Sequence, residues 1–396
     1  EIMLRKHGIP DVHGPSAIRE AERLGAKVRD RDCRGRTDFR SMTTVTIDGE
    51  HARDFDDAIT LERLPNGNFL LGVHIADVSH YVRPGSELDR EARERGTSVY
   101  FPERAVHMFP AVLSTGLCSL NPNVDRLVQS CLIEISERGK VVRHELHDGV
   151  IHSDARMTYE DVSAILAEGD AAVRAHYAEL VPVFELMHKL FEILSRRRRR
   201  RGSIDFDLQE PEFVLSETGS VADITATKRN VAHCIIEEFM LIANEVVATH
   251  LRDHDIPTLY RVHDSPDVRK VAEFEDFITT FGHSLAAPKG NTTPKHFQQL
   301  AKRIKGTPEE KPIAIMMLRT MQKARYDSTA DGHFGLAMSN YTHFTSPIRR
   351  YPDLVVHRAL RALPKKRLST SKRQQLADGL PDLAMETSEL ERRAEE

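Results

Sequence analysis

The sequence predicts an α+β fold: a single large domain with a strand-rich first half and a helix-rich second half. Three observations carry this. Residues 69–77 (Phe-Leu-Leu-Gly-Val-His-Ile-Ala-Asp) form an apolar run of strand length ending on a carboxylate, as a buried strand does. Between residues 229 and 251, Val231, Ile235, Phe239, Ile242 and Val246 fall on one helical face. No stretch of disordered composition separates the halves, so they are expected to share one domain.

Residues 1–40 are polar and read as a lead-in segment, with a helix over residues 15–24; residues 41–396 form the main body. Residues 41–150 read mainly as strands. Thr158-Tyr-Glu-Asp161 has the form of a capping box, opening a helix that stops before Gly169. A longer helix is predicted over residues 184–200 and a strand over residues 204–214. After the helix at 229–251, Ser265-Pro266 opens another that Gly282 ends. Thr293-Pro294 opens the next, with Gly306 just past its end. Residues 312–326 and 372–396 complete the helical half. No internal repeat is evident.

Composition excludes several classes. The 396 residues are 40% hydrophobic and 29% charged, which is ordinary for a soluble globular chain. A net charge of −4 does not announce a nucleic-acid binder, so any basic surface must be local. Cys33, Cys118, Cys131 and Cys234 show no CxxC spacing and read as reduced core thiols of a cytoplasmic protein. No apolar run is long enough to span a bilayer. The chain begins without methionine and stops in a charged helical run, so a fragment of a longer protein is expected.

The densest chemistry lies in residues 46–58 (Thr-Ile-Asp-Gly-Glu-His-Ala-Arg-Asp-Phe-Asp-Asp-Ala), where Asp48, Asp54, Asp56 and Asp57 fall within ten positions. Like charges gathered this way repel one another and resist burial. The segment is not a plain solvated loop, because it follows a strand end and interleaves Phe55, Ala58 and Ile59. A hard divalent cation with oxygen ligands resolves the repulsion, and magnesium shares itself with substrate phosphates. Residues 341–358 (Tyr-Thr-His-Phe-Thr-Ser-Pro-Ile-Arg-Arg-Tyr-Pro-Asp-Leu-Val-Val-His-Arg) combine two arginines with hydroxyls and aromatics. Arginine forks suit phosphate oxygens, although a buried pair bridged to acidic neighbours has the same appearance. Beside an aspartate cluster, an arginine clamp is the pattern of phosphoryl transfer.

These two segments, with Gly35-Arg-Thr-Asp-Phe-Arg40, residues 72–82, 96–102, 117–122, 201–206 and 236–240, and His333-Phe-Gly-Leu336, run in order across nearly the whole chain. In them the sequence resembles the catalytic RNB domain of the RNase II / RNase R exoribonucleases, closest to the RNase R branch. The resemblance implies an RNB-type domain enclosing an RNA channel. It implies magnesium-dependent (or manganese-dependent) hydrolysis of single-stranded RNA, 3′→5′, to nucleoside 5′-monophosphates. It implies no membrane and no organic cofactor, and a monomer is expected. Asp48, Asp54, Asp56 and Asp57 match the metal-site residues, with Asp56 closest to catalysis. Arg349 matches the arginine on the scissile phosphate, with Arg350 beside it. Tyr100 and Phe206 match base-stacking aromatics, which suit a sequence-tolerant enzyme because every base has a π face. Glu237 or Glu238 matches a ribose contact, and Glu391 matches a late glutamate near the bound nucleotides. The competing reading is a catalytically weak RNA-binding module or scaffold of the same fold.

Two departures stand out. His51 occupies a position where RNase R-like members usually carry another aspartate. The cold-shock and S1 barrels that normally flank the domain do not fit in this length, which puts affinity and processivity in question. Among single features, the run Arg196 to Arg201 reads as an RNA contact or as a helix end with favourable positive charge. The basic stretch 361–373 reads as a solvated loop. His74, His80, His333 and His343 are expected to pack or hydrogen-bond rather than bind metal. Asp77 is expected either to support the metal site or to cap a turn.

Overall fold

The computed structural model describes residues 2–101, 104–205, 211–215, 221–226, 229–288, 291–362 and 369–396. Strands β1 (Thr37–Asp38), β2 (Val45–Asp48), β3 (Asp57–Arg63), β4 (Phe69–Ala76), β5 (Asp125–Ile135), β6 (Val141–His152) and β7 (Ala155–Thr158) form one sheet. Their spatial order is β1-β6-β5-β4-β3-β2-β7. The two edge strands pair in parallel, β1 with β6 and β7 with β2, and the inner pairs are antiparallel.

The described helices longer than ten residues are α1 (Val181–Arg201), α2 (Val231–Asp253), α3 (Val268–Thr279), α4 (Pro294–Ile304), α5 (Glu310–Thr320), α6 (Tyr351–Arg361) and α7 (Leu380–Glu395). Strand residues alternate between two cores, as a period of two requires. Ile59, Leu61, Leu71, Val73 and Ile133 join Phe184 and Leu190 of α1 and Phe239 and Val246 of α2. From the other face Ala58, Ala76 and Val128 join Tyr351 and Leu354 of α6, together with Ala17 and Ala21 of the lead-in segment. With both faces covered, β4 is apolar along almost its whole length. Helices α3 to α5 enclose a third cluster around Phe274, Phe297 and Met317.

Most expected elements form, and the differences have local causes. The Thr158 hydroxyl accepts from Asp161 N, and Gly169 ends that helical stretch in the left-handed region. Asp267, rather than Ser265, caps α3 by accepting from Arg269 N and Lys270 N. The helix expected over 312–326 ends at Thr320, because Arg325–Asp327 instead pairs as a strand with Tyr260–Val262. There the Tyr326 ring is buried, its N–H donates to Ser388 Oγ, and its hydroxyl meets His343. Gly379, at φ 78°, separates Thr370–Ala377 from α7 where one helix was expected. Of the strand expected over 204–214, Pro211–Leu215 is strand, Ile204 is a buried loop residue, and residues 206–210 lie outside the described residues. All four cysteines are free, but only Cys118 and Cys131 are fully buried. No described helix is long and apolar enough to cross a membrane.

Phe184 is fully buried where α1 meets the sheet. Phe184→Ala is expected to lower stability by about 3–5 kcal/mol, read as a shifted denaturant midpoint with unchanged slope.

Candidate active site

Asp48 ends β2 and Asp57 begins β3, so the turn between these neighbouring strands carries all four aspartates within one neighbourhood. That turn is held by backbone. Phe55 N donates to Ser119 Oγ (3.0 Å), Ser119 Oγ donates to Arg53 O (2.7 Å), and Leu120 N donates to Phe55 O (3.0 Å). Ala76 N, at the end of β4, donates to Asp56 O (2.9 Å).

Residues 341–350 close over the turn. Ile348 N donates to Asp56 Oδ1 (2.8 Å), and Arg349 Nε contacts Asp56 Oδ2 (3.2 Å). Arg349 Nη2 donates to Ser346 Oγ (2.8 Å), yet the side chain stays 45% exposed, so part of its fork faces open space. Arg350 behaves differently. It forks onto both oxygens of Asp353, which is buried in the first turn of α6, so its charge is already shared. Ser98 N donates to Arg349 O and Tyr351 N to Gly96 O, both at 2.9 Å, which brings Tyr100 alongside. Gly96 sits at φ 71°, and a Cβ there would lie 2.7 Å from Leu390 of α7.

These segments surround a cavity of about 400 Å³. Its walls include all four aspartates, Arg349, Arg350, Tyr100 and Glu237. The Tyr100 hydroxyl donates to Asp54 Oδ2 (2.5 Å), while the residue stays 52% exposed. Helix phase separates the two glutamates. Glu237 faces the cavity and pairs with Arg229, whereas Glu238 is buried against Arg198 (2.5 Å). Glu391 lies on α7, paired with Arg261 (2.5 Å), outside the cavity wall. Phe206 lies outside the described residues. His51 is exposed on the turn and does not line the cavity.

Two wall residues escaped sequence reasoning. Tyr159, read only as part of a helix cap, reaches the aspartates because β7 pairs with β2 and sets Thr158 opposite Asp48. Asn244 of α2 accepts from Phe344 N (2.9 Å) and donates to the Tyr341 hydroxyl (3.0 Å), fixing the arginine segment. Its only sequence signal is a lone amide on an otherwise apolar helix face. Asp77, in contrast, is tied to Arg36 and Arg361 and accepts from His80 N, so it caps a turn away from the cavity. His74 is hydrogen-bonded between Thr60 and Ser130, and His343 meets Tyr326. The arginine run divides: Arg198 and Arg201 are paired to Glu238 and Glu245, while Arg196, Arg199 and Arg200 are exposed.

The electrostatics of the wall are unfavourable as they stand. Enclosure pushes Asp56 up to about 8, opposed by Arg349 and the Ile348 N–H. It pushes Asp57 up to about 6 against Arg349 and Arg350. Asp48 lies well above the usual carboxylate range, first from enclosure and then from the charges of Asp57 and Asp56. Its Oδ2 is buried without a hydrogen-bond partner. Among the described residues, no three His, Cys, Asp or Glu side chains are arranged to hold an ion as they stand. The orphaned oxygen and the surplus of negative charge nevertheless fit a hard cation, since both would be relieved by one.

The RNB domain model matches residues 36–366. The chain belongs to the RNB domain family. Ribonuclease R 1 of Lactococcus lactis is 46% identical over 95% of this chain and 46% of its own length. Ribonuclease R of Escherichia coli K12 is 43% identical over 92% of this chain and 45% of its own. The chain thus spans about half the length of the curated relatives it matches. Mycoplasma genitalium RNase R, solved with ribose methylated single-stranded RNA, superposes with a TM-score of 0.91. It is 29% identical, and the match covers 99% of this chain and 61% of that one. Yeast Ssd1, a pseudonuclease, matches with a TM-score of 0.67 at 22% identity over 92% of this chain and 46% of its own, which shows the RNB fold alone.

The raised carboxylates predict a stability profile for the metal-free RNB domain. An unfolded aspartate titrates near 3.9, whereas folded Asp56 titrates at about 8. The folded state therefore binds more protons across that window, and stability is lost as pH rises from about 4 to 8. In EDTA the melting temperature is expected to be higher at pH 5 than at pH 8, with a smaller difference in Asp56→Asn. An equal pH dependence in the variant would remove Asp56 as the source.

Proposed function

We propose that this chain is the catalytic part of a metal-dependent 3′→5′ exoribonuclease that hydrolyses single-stranded RNA to nucleoside 5′-monophosphates. The observation that carries the reading is the contact between Asp56 and Arg349 on a cavity walled by four aspartates. A phosphodiester needs a cation clamp on its oxygens and a carboxylate set beside it, and both are present here. Asp48, Asp54, Asp56 and Asp57 would hold magnesium, with manganese as the alternative; such ions activate water and stabilise a leaving oxygen. Arg349 orients the phosphate through the part of its fork not used on Asp56 and Ser346. The exposed Tyr100 ring stacks on a base without selecting its identity. Glu237, which lines the same cavity, is proposed to accept from a ribose 2′-hydroxyl, the group that separates RNA from DNA. Arg350, committed to Asp353, supports the loop and adds positive potential. Glu391 holds Arg261 behind the loop, and Phe206 is proposed as the second stacking aromatic.

The first test is a time course on 5′-labelled single-stranded RNA with a DNA twin. A ladder shrinking from the 3′ end, lost in EDTA and absent with DNA, is expected; equal degradation of DNA would end the ribonuclease reading. Asp56→Asn is expected to bind RNA but not cleave it. Arg349→Ala is expected to lower kcat by about 10²–10³-fold with a much smaller change in Kd, because the clamp acts on transition-state charge. An effect confined to affinity would contradict that role and favour an RNA-binding module. Independently of activity, magnesium is expected to raise the melting temperature more at pH 8 than at pH 5, since protons compete for the carboxylates.

A further inference from the structure

A second cavity, of about 790 Å³, opens among the ends of α1 and α4, the length of α5 and the start of α2. It adjoins the first. Cys234 lines it one turn before Glu237, and Arg229 lines it while pairing with Glu237 of the catalytic wall. Its electrostatics are the reverse of the aspartate cavity. Arg199, Arg229, Lys302, Lys305 and Lys311 face it, against only Asp205 and Glu310. Both carboxylates are engaged: Asp205 lies between Arg198 (3.4 Å) and Arg229 (3.3 Å), and Glu310 accepts from Gly306 N (2.6 Å). Arg199, Lys305 and Lys311 have no partner among the described residues and are exposed. Between these cations the lining is apolar, from Ile304, Ile315 and Met317. Ile315 is 46% exposed on α5, although nothing in the fold requires an isoleucine there.

Unpaired positive charge around an apolar lining fits a ligand with a phosphate at one end and a flat, weakly polar body at the other. We propose that this groove binds a nucleoside 5′-monophosphate, the product of the reaction proposed above, as it leaves the aspartate cavity. The inference rests on that reading for the source of the ligand. The bar between the cavities is the ion-paired chain Asp205, Arg229 and Glu237, and a small phosphate crosses it when Arg229 exchanges a carboxylate for the ligand. A continuous strand would have to hold that bar open, which favours the mononucleotide. The phosphate then lies among Arg199, Lys305 and Lys311, and the base covers Ile315.

The test is calorimetric titration of AMP, adenosine and inorganic phosphate into the whole chain carrying Asp56→Asn, so that turnover plays no part. AMP is expected to bind at least tenfold more tightly than adenosine. Lys305→Glu with Lys311→Glu, both at exposed positions, is expected to weaken AMP at least tenfold. Ile315→Ser is expected to weaken AMP and leave inorganic phosphate unchanged. Unchanged AMP affinity in both variants, or equal binding of adenosine, would overturn the proposal. A 3′-blocked RNA weakened by the lysine changes when AMP is not would assign the groove to the incoming strand and also overturn it. RNA cleavage by the unmodified chain separates the two readings. Cleavage without AMP binding removes the groove alone, and AMP binding without cleavage removes the nuclease.

Discussion

Four aspartates and Glu237 share the wall of a single cavity with the partly free guanidinium of Arg349, and this imbalance of charge is the constraint on which the surrounding structure depends. Left to local preference, a turn carrying Asp54, Asp56 and Asp57 would open into water, where each charge is solvated. It stays closed because its backbone is committed elsewhere. Ser119, Leu120 and Ala76 bond the turn from one side, and Ile348 N reaches Asp56 from the other. The carboxylates are held in place by bonds that do not neutralise them. Without a cation the repulsion is relieved by proton uptake, with Asp56 pushed up to about 8 and Asp57 to about 6, and a cation would compete with those protons.

The same logic explains why distant segments of the chain read as chemically dense. Residues 96–98 and 349–351 exchange backbone bonds, which couples the segment that carries Tyr100 to the segment that carries Arg349. Asn244 ties residues 341–344 to α2, the helix that also presents Glu237. Catalytic geometry of this kind is sensitive to displacements of about 1 Å, and rigid backbone coupling is the device that limits them. The cost is visible in stability: deprotonating Asp56 in the folded state is opposed by enclosure.

How much of this was legible in the sequence depended on whether a signal was local. The aspartate cluster was legible because four like charges in ten residues are anomalous on their own. Helices α1, α2 and α4 were legible from periodicity and caps, which are properties of neighbouring residues. What failed was long-range. The strand at Tyr326 depends on Ser388, 62 positions away, so no window of sequence separates it from the helix before it. Tyr159 joins the site only through the β2–β7 pairing across 110 positions. Arg349 and Arg350 are adjacent and chemically identical, and only Asp353 at one turn's distance claims both arms of the second, while the first contacts Asp56 and Ser346 and stays 45% exposed.

The choice between Glu237 and Glu238 shows how far such a distinction reaches. Adjacent residues on a helix point about 100° apart, so one faces the cavity and the other the body. The inward Glu238 meets Arg198, Arg198 meets Asp205, Asp205 meets Arg229, and Arg229 returns to Glu237. The run of six arginines therefore is not one surface. Its buried member anchors an alternating chain of charges, and that chain ends on the glutamate that faces the aspartate cavity. A change at Arg198 would leave Glu238 buried without a partner and would also loosen Asp205, so its effect would travel to Glu237 without any contact with substrate. Sequence-level charge runs carry such meaning only after the helix has sorted each member into a face, because neutralisation is decided by partners across the fold and not by neighbours along the chain.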